Sequence, residues 1–214
     1  MFTSVAHRLV HQGRALISGL TVVVILAVAT PVAARTPVDP ATLNPAPPDY
    51  FNAQCYAGAG GTVCSLAFSD DPIVDEPSGI VCGSTELLFS QERSVVGKRF
   101  YDANGNLTQR HFREYMSGRL SNPATGKVAP WVQHDTIIHN LSVPGDLSTG
   151  TLNITGLLMR AWVPGGGTIL TDAGTIVRDQ ATDETIFSAG KHPFDAYFVD
   201  GDASALQPLC DALG

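Results

Sequence analysis

The chain has 214 residues, with 20 acidic and 13 basic side chains, a net charge of −7 and only 15% charged residues. Ordinary soluble domains carry roughly 25% charged residues, so this composition excludes a highly charged disordered chain and a coiled coil. Only one uncharged stretch longer than about 18 residues, Ala15–Ala34, has a continuous apolar centre, which excludes a membrane protein with several spans. The net negative charge does not favour binding to nucleic acid, whose phosphates are also negative. The sequence identifies no other partner.

Residues 1–34 have the layout of a secretory signal peptide. Arg8 and Arg14 precede an uncharged stretch, Ala15–Ala34, which ends in the small residues that a signal peptidase reads. An uncleaved anchor is the alternative, because this stretch has about 20 residues, the length that crosses a bilayer. We expect cleavage before Arg35, which leaves no stable membrane span and gives a secreted or extracytoplasmic chain of net charge −9.

Proline and turn residues divide the remaining chain. Five prolines in residues 36–50 predict an extended tether, so 35–50 is assigned as a Pro-rich linker and 51–214 as a single β-rich domain. Ser69–Ser78 is rich in acidic residues and proline and predicts a loop. From about residue 63, short runs of β-forming residues alternate with turns. The predicted strands are Val63–Phe68, Thr85–Ser90, Val95–Asp102, Leu107–Met116, Val128–Leu141, Thr151–Val163, Thr168–Thr171, Thr175–Arg178 and Thr185–Ser188.

Three local signals add to this strand pattern. Asn104-Gly105 lies between two strand runs and predicts a hairpin turn, because both residues tolerate a positive φ. Ala203–Leu213 carries leucines at helical spacing and predicts one closing helix. Thr151–Val163 is apolar on both faces, which predicts a strand covered on both sides. The sequence therefore predicts an all-β, mainly antiparallel fold, a β-barrel or a β-sandwich, with one short C-terminal helix.

The four cysteines predict two disulfides, because all of them lie in the part of the chain that is expected to be exported. Three connectivities are open, and we favour Cys55–Cys64 and Cys82–Cys210. The first closes a short Gly-rich loop, and the second ties the start of the folded region to its end. No C-x2-C pair is present, so the spacing does not favour zinc.

Several turn-rich runs resemble an uncharacterised family of small exported β-rich actinobacterial proteins. The resemblance lies in Lys98–Gly105, Leu120–Lys127, Pro164–Thr168 and Asp172–Val177, and in the terminal pair Leu209-Cys210. It implies the β fold and adds support to the Cys82–Cys210 pairing. The family has no assigned activity, so the resemblance implies no function.

The sharpest candidate for chemistry is the run that contains His134, Asp135 and His139, because two imidazoles and a carboxylate could bind a metal or transfer protons. On a strand, however, His134 and His139 point to opposite faces, and Asp135 lies about 13 Å along the strand from His139. His111 and His192 could supply partners from other strands. The spacing favours a strand with polar residues over a catalytic site, and no metal or cofactor is predicted.

Basic residues are concentrated in 93–127. Lys98 and Arg99 are neighbours on one strand and face opposite ways, as do Arg110 and Arg113. The pattern therefore predicts solvated faces and not one basic stripe.

Three functions fit the sequence. The first is an exported, non-catalytic module that binds a ligand or partner at the cell envelope or outside it. The second is a β-barrel around a small apolar ligand, acting as a binder, cyclase or isomerase, with Trp131, Met159 and Trp162 as candidate ligand contacts. The third is a His- or metal-dependent hydrolase. The lack of hydrolase and nucleotide-binding motifs and the 7% aromatic content favour the first.

Overall fold

Ten antiparallel strands form one continuous sheet in residues 35–214, the part of the chain that the computed structural model describes. The signal peptide predicted over 1–34 lies outside these residues. Two short α-helices and three 3-10 turns, at 40–42, 49–51 and 203–206, complete the unit. The elements are β1 (Thr36–Val38), β2 (Gln54–Gly58), β3 (Gly61–Ser69), β4 (Ile73–Cys82), β5 (Thr85–Tyr101), β6 (Leu107–Ser121), β7 (Val128–Asn140), β8 (Thr151–Val163), β9 (Gly167–Asp179), β10 (Thr185–Lys191), α1 (Pro193–Phe198) and α2 (Gln207–Leu213).

The sheet is a meander in the order β1-β2-β3-β5-β6-β7-β8-β9-β10, and β4 branches from it by pairing with β5 alone. The 17-residue strand β5 pairs with β4 along its first half and with β3 along its second half. This arrangement confirms the mainly antiparallel all-β fold with a C-terminal helix. Within the described residues, β1 and β10 do not pair with each other, so the predicted barrel is not closed and the architecture is sandwich-like.

The turn between β5 and β6 shows how the sequence sets the register. Gly105 has a φ of 80°, and one carboxylate oxygen of Asp102 accepts hydrogen bonds from the backbone amides of Asn104 and Asn106. These bonds close the turn where the Asn-Gly pair predicted a hairpin. The flanking strands then pair for 14 positions, which makes β5 and β6 the centre of the sheet.

Burial alternates along the central strands and defines two faces. On β6, Glu114 and Leu120 are buried, whereas Arg113, Tyr115 and Arg119 on the opposite face are exposed. We call the buried side the inner face and the other side the outer face. One end of the inner face is covered by the C-terminal helical segment. The core there consists of Ile80, Leu87, Leu120, Ala129, Trp131, Ala161, Leu170, Leu206, Leu209 and Leu213.

The N-terminal segment covers the other end of the inner face. The expectation of an extended linker over 35–50 does not describe the structure, because β1 pairs with β2 and Leu43 is 7% exposed. Leu43 packs with Tyr101 and Leu107 in a second apolar cluster. Leu43 and Pro47 are both buried and anchor this segment to the domain.

Two disulfides, Cys55–Cys64 and Cys82–Cys210, staple the fold. The first joins β2 to β3 at directly paired positions, and the second joins the end of β4 to α2 across 128 residues of sequence. Two disulfides in one domain are typical of extracellular proteins. Within residues 35–214, none of the helices has the length and apolar character that a bilayer span requires.

Candidate functional site

The three candidate catalytic residues of β7 lie on two different faces of the sheet. His134 is exposed on the outer face, opposite Tyr115 of β6, and the two rings meet edge to face at 5.3 Å. Asp135 and His139 lie on the inner face and are 5% and 0% exposed. The structure therefore does not bring the three side chains together.

The hydrogen bonds of His139 indicate a structural role. Its Nε2 lies 2.8 Å from the carbonyl oxygen of Thr149, so this nitrogen carries the proton and donates. Its Nδ1 accepts a hydrogen bond from Nε of Arg110 at 3.0 Å. Burial is the main cause that lowers the pKa of His139, so the ring is neutral at pH 7. Both nitrogens are engaged, and neither is available to a substrate.

Asp135 belongs to an ionic row on the inner face, in which Asp135 and Glu114 are buried. It lies directly opposite Glu114, which contacts the guanidinium of Arg93, and Arg93 also contacts Asp70 at 2.7 Å. Oδ1 of Asp135 accepts a hydrogen bond from Gln133 at 3.0 Å. Oδ2 is buried and has no hydrogen-bond partner among residues 35–214. Burial raises the pKa of Asp135 above its usual value, more strongly than the nearby charge of Glu114 does.

The remaining candidate histidines also lie apart. His111 is on the outer face of β6, where its ring lies 5.0 Å from the ring of Phe100. His192 contacts the buried carboxylate of Asp172 at 3.0 Å, just before α1. Phe194 donates its backbone amide to the second oxygen of Asp172. In the described part of the chain, no group of three or more His, Cys, Asp or Glu residues could hold a metal ion.

The outer face carries an open groove of about 560 Å³ between β4 and β8, which we call the Trp162 groove. Its volume lies within the roughly 300–1,000 Å³ of small-molecule sites. Apolar side chains form much of it, and polar side chains from β5 and β6 line the rest. The apolar residues include Ile73, Val74, Val128, Pro130, Val132 and Trp162, and the polar ones include Ser90, Glu92, Ser117 and Arg119.

One polar wall of the groove is held in place by an ion pair. Nη2 of Arg119 lies 3.1 and 3.2 Å from the two carboxylate oxygens of Asp75. The hydroxyl of Ser90 donates a hydrogen bond to Oδ1 of Asp75 at 3.0 Å. The same hydroxyl accepts a hydrogen bond from the backbone amide of Asp75 at 3.0 Å. The bond from Arg119 is the main cause that lowers the pKa of Asp75, so its carboxylate is charged at neutral pH. This network ties β4 to β5 and β6 beside the groove.

The three candidate ligand contacts differ in their access to this groove. Trp162 lines it and is half-buried. Trp131 also borders it, but the ring is 1% exposed and stacks on Phe89 at 5.2 Å, so it belongs to the core. Met159 packs against that core and does not line the groove.

Sequence reasoning missed the contribution of β4 to the groove. Ile73 and Val74 begin a strand that was assigned to an acidic loop, because Asp75, Glu76 and Pro77 follow them directly. The strand tolerates these residues since it pairs on one side only and its register with β5 shifts after Ile73. The two adjacent apolar residues were the available signal.

Comparison with known proteins adds no relative. The chain matches no protein-family model, and neither the curated proteins nor the solved structures contain a match to it.

Proposed function

We propose that this chain is an exported, non-catalytic binding module that takes a ligand into the Trp162 groove. The observation that carries the proposal is the groove itself, a concave site of about 560 Å³ with a half-buried tryptophan on its wall. A binding site of this kind uses apolar side chains for contact area and a few polar groups for orientation. Pro130 and Val132 provide the first property beside Trp162, and Ser117 and Glu92 provide the second.

The chemistry of the groove favours a ligand with one flat apolar surface and hydroxyl groups at its edge. Trp162 offers an indole ring for stacking, and ring stacking contributes on the order of 1 kcal/mol beyond the buried area. Glu92 is exposed and can accept hydrogen bonds, whereas Arg119 is already paired with Asp75. Among the described residues that line the groove, Arg119 is the cation, and its charge is already compensated by Asp75.

The histidine geometry favours binding over hydrolysis. A general base has to present a free nitrogen to the substrate. The Nδ1 and Nε2 atoms of His139 both have partners within the domain, and His134, although on the outer face, does not line the Trp162 groove. The alternative function, a small apolar ligand enclosed by a β-barrel, would have to use the same groove, because the sheet of the described residues is not closed.

Export is the second part of the proposal. The signal-like stretch up to Ala34 and the two disulfides support a mature chain that begins at Arg35 in an oxidising compartment. Amino-terminal sequencing of the protein from culture medium or from a cell-envelope fraction tests this part. A mature protein that starts at Met1 and is found in the cytoplasm contradicts it.

Binding can be tested without knowledge of the natural ligand. The neutral fluorescent probe N-phenyl-1-naphthylamine is titrated into the wild-type protein, Trp162→Ala and Phe187→Ala. Phe187 is the matched control, because it is 54% exposed on β10 and does not line the groove. We expect Trp162→Ala to bind the probe at least tenfold more weakly, and Phe187→Ala to stay within twofold of wild type.

Native mass spectrometry of the protein purified from its own host supplies the second readout. We expect an adduct of constant mass on the wild-type protein and on Phe187→Ala, and its loss from Trp162→Ala. Equal probe affinity in all three proteins together with no adduct contradicts the proposal.

A further inference from the structure

A second site is formed by two neighbouring arginines on the inner face. Arg99 of β5 and Arg110 of β6 lie directly opposite each other in the strand register, and both belong to the face that the N-terminal segment covers. Arg99 is only 3% exposed. Opposed like charges destabilise a strand pair, and buried ones do so more strongly.

No carboxylate of the described residues compensates these two charges. Neither guanidinium forms an ion pair within residues 35–214, although Arg93, Arg119 and Arg178 each do. Residues 35–214 supply only neutral partners to these two guanidiniums. Nη1 of Arg99 donates to the carbonyl oxygen of Ala46 at 3.3 Å, and Nε of Arg110 donates to His139 at 3.0 Å.

Several guanidinium donors remain unused. Nε of Arg99 is buried without a hydrogen-bond partner among residues 35–214. In the same part of the chain, Nη2 of Arg99 and both Nη atoms of Arg110 have no protein partner, and they are not among the fully buried atoms. A guanidinium presents its donors as a planar fork that matches two oxygens of a carboxylate or phosphate.

The surroundings hold both side chains in place. The guanidinium of Arg99 lies 5.6 Å from the ring centre of Tyr101, and that of Arg110 lies 5.7 Å from the ring centre of Phe112. His139 is neutral and fixes Arg110 through its Nδ1. Burial lowers the pKa of both arginines, and the charge of Arg99 adds to this effect at Arg110. Each guanidinium is therefore positioned before any anion arrives.

We propose that Arg99 and Arg110 form a binding site for an oxyanion, a carboxylate or phosphate group that bridges the two guanidiniums. The anion supplies the negative charge that the described protein lacks at this point and accepts hydrogen bonds from the unused donors. This site lies on the inner face, whereas the Trp162 groove lies on the outer face. Anion binding at Arg99 and Arg110 can therefore be tested independently of ligand binding in the Trp162 groove.

The test measures the melting temperature of the oxidised protein against sodium phosphate, sodium acetate and sodium decanoate, at a constant ionic strength set with sodium chloride. We expect a saturable rise with at least one of these anions. A rise with phosphate assigns a free or esterified phosphate. A stronger effect of decanoate than of acetate assigns the carboxylate of an acyl chain.

Three variants locate the binding. Arg99→Gln and Arg110→Gln each remove one fork, and we expect either change to weaken anion binding at least tenfold. Arg110→Lys keeps the charge and loses the fork, so it is expected to bind more weakly than wild type while folding normally. Arg113→Gln is the matched control, because Arg113 lies on the same strand but is exposed on the outer face, and it is expected to bind as wild type does.

The proposal is overturned if none of the three anions raises the melting temperature of the wild-type protein beyond the effect of sodium chloride. It is equally overturned if Arg113→Gln loses the response as fully as Arg99→Gln and Arg110→Gln. Isothermal titration calorimetry with the same anions replaces the melting curves for any variant whose fold, by circular dichroism, is native but less stable.

Discussion

Glu114 and Asp135 face each other across β6 and β7 with both carboxyl groups on the buried side of the sheet. Of these two, Arg93 contacts only Glu114, and it also pairs with Asp70, so Asp135 has no ion pair among residues 35–214. Like charges at opposed strand positions are destabilising unless one of them is neutralised. Burial raises the pKa of Asp135, so this carboxyl group takes up a proton at a higher pH than an exposed aspartate does.

Replacing Arg93 by methionine tests this ionic row. The substitution leaves Glu114 and Asp135 buried without their cation, and we expect a loss of roughly 3 kcal/mol of unfolding free energy at pH 7. The loss should be smaller at pH 4 than at pH 7, because the raised pKa of Asp135 favours its protonation at the lower pH. Urea unfolding at both pH values measures it, with the exposed Arg113→Met as the control, which is expected to change stability by less than about 0.5 kcal/mol. An equal loss at the two pH values would contradict this account.

Asp135→Asn is expected to stabilise the protein at pH 7 by about 1 kcal/mol, because it removes a buried charge with an unpartnered oxygen. The pKa of Asp135 is raised in the folded state, so wild-type stability gains from its protonation at low pH and loses that gain as the pH rises through the folded-state pKa. The advantage of the variant should therefore disappear below the unfolded-state pKa of about 3.8. Denaturant melts from pH 3 to pH 8 test the sign. A variant that is less stable than wild type at pH 7 refutes it.

The two disulfides are expected to differ in their contribution to stability. In the chain-entropy model, loss of Cys82–Cys210, with a sequence separation of 128, costs about 5 kcal/mol. Loss of Cys55–Cys64, with a separation of 9, costs about 3 kcal/mol. The melting temperatures of Cys55→Ser/Cys64→Ser and Cys82→Ser/Cys210→Ser show which disulfide contributes more to stability. If the Cys55→Ser/Cys64→Ser protein is the less stable one, loop closure is not the dominant effect.

Gly118 lets β5 and β6 approach each other beside Trp131. A Cβ at this position would lie 1.9 Å from the backbone oxygen of Ser90 and 2.9 Å from the indole ring of Trp131. We expect Gly118→Ala to lose about 2–3 kcal/mol, because neither neighbour can move without separating the strands or disturbing the core. Gly60→Ala is the control, since its Cβ would meet no atom within 4 Å. Similar melting temperatures for the two variants would show that the sheet adapts.

The strand pattern was predictable where apolar residues alternate and turns are marked by Gly and Asn. Thr151–Val163 is both the predicted and the observed β8. Thr85–Ser90 and Val95–Asp102 were predicted as separate strands because Gln91–Ser94 is polar. One 17-residue strand, Thr85–Tyr101, contains the first and all but the last residue of the second. Arg93 can lie inside a strand because Glu114 and Asp70 neutralise it, and such a contact is not visible in local sequence.

The candidate sites needed the register of strands that are distant in sequence. The strand period correctly placed His134 and His139 on opposite faces. It also placed Arg99 and Lys98 on opposite faces, but it could not show that Arg99 lies opposite Arg110. Register depends on the length of the turn at Asp102–Asn106 together with all later pairing. The Trp162 groove was not predictable either, because one of its walls is β4. The acidic residues of β4 had predicted a loop in place of a strand.

The C-terminal helical segment has a consequence for biosynthesis. The side chains of Leu206, Leu209 and Leu213 cover an apolar part of the sheet, and all three are synthesised after every strand that they cover. A growing chain therefore exposes an apolar surface around Trp131 until the C-terminal helical segment has been synthesised. During that interval the chain is vulnerable to aggregation. A product that stops short of Leu206 would keep that surface exposed permanently and become a target for quality-control proteases.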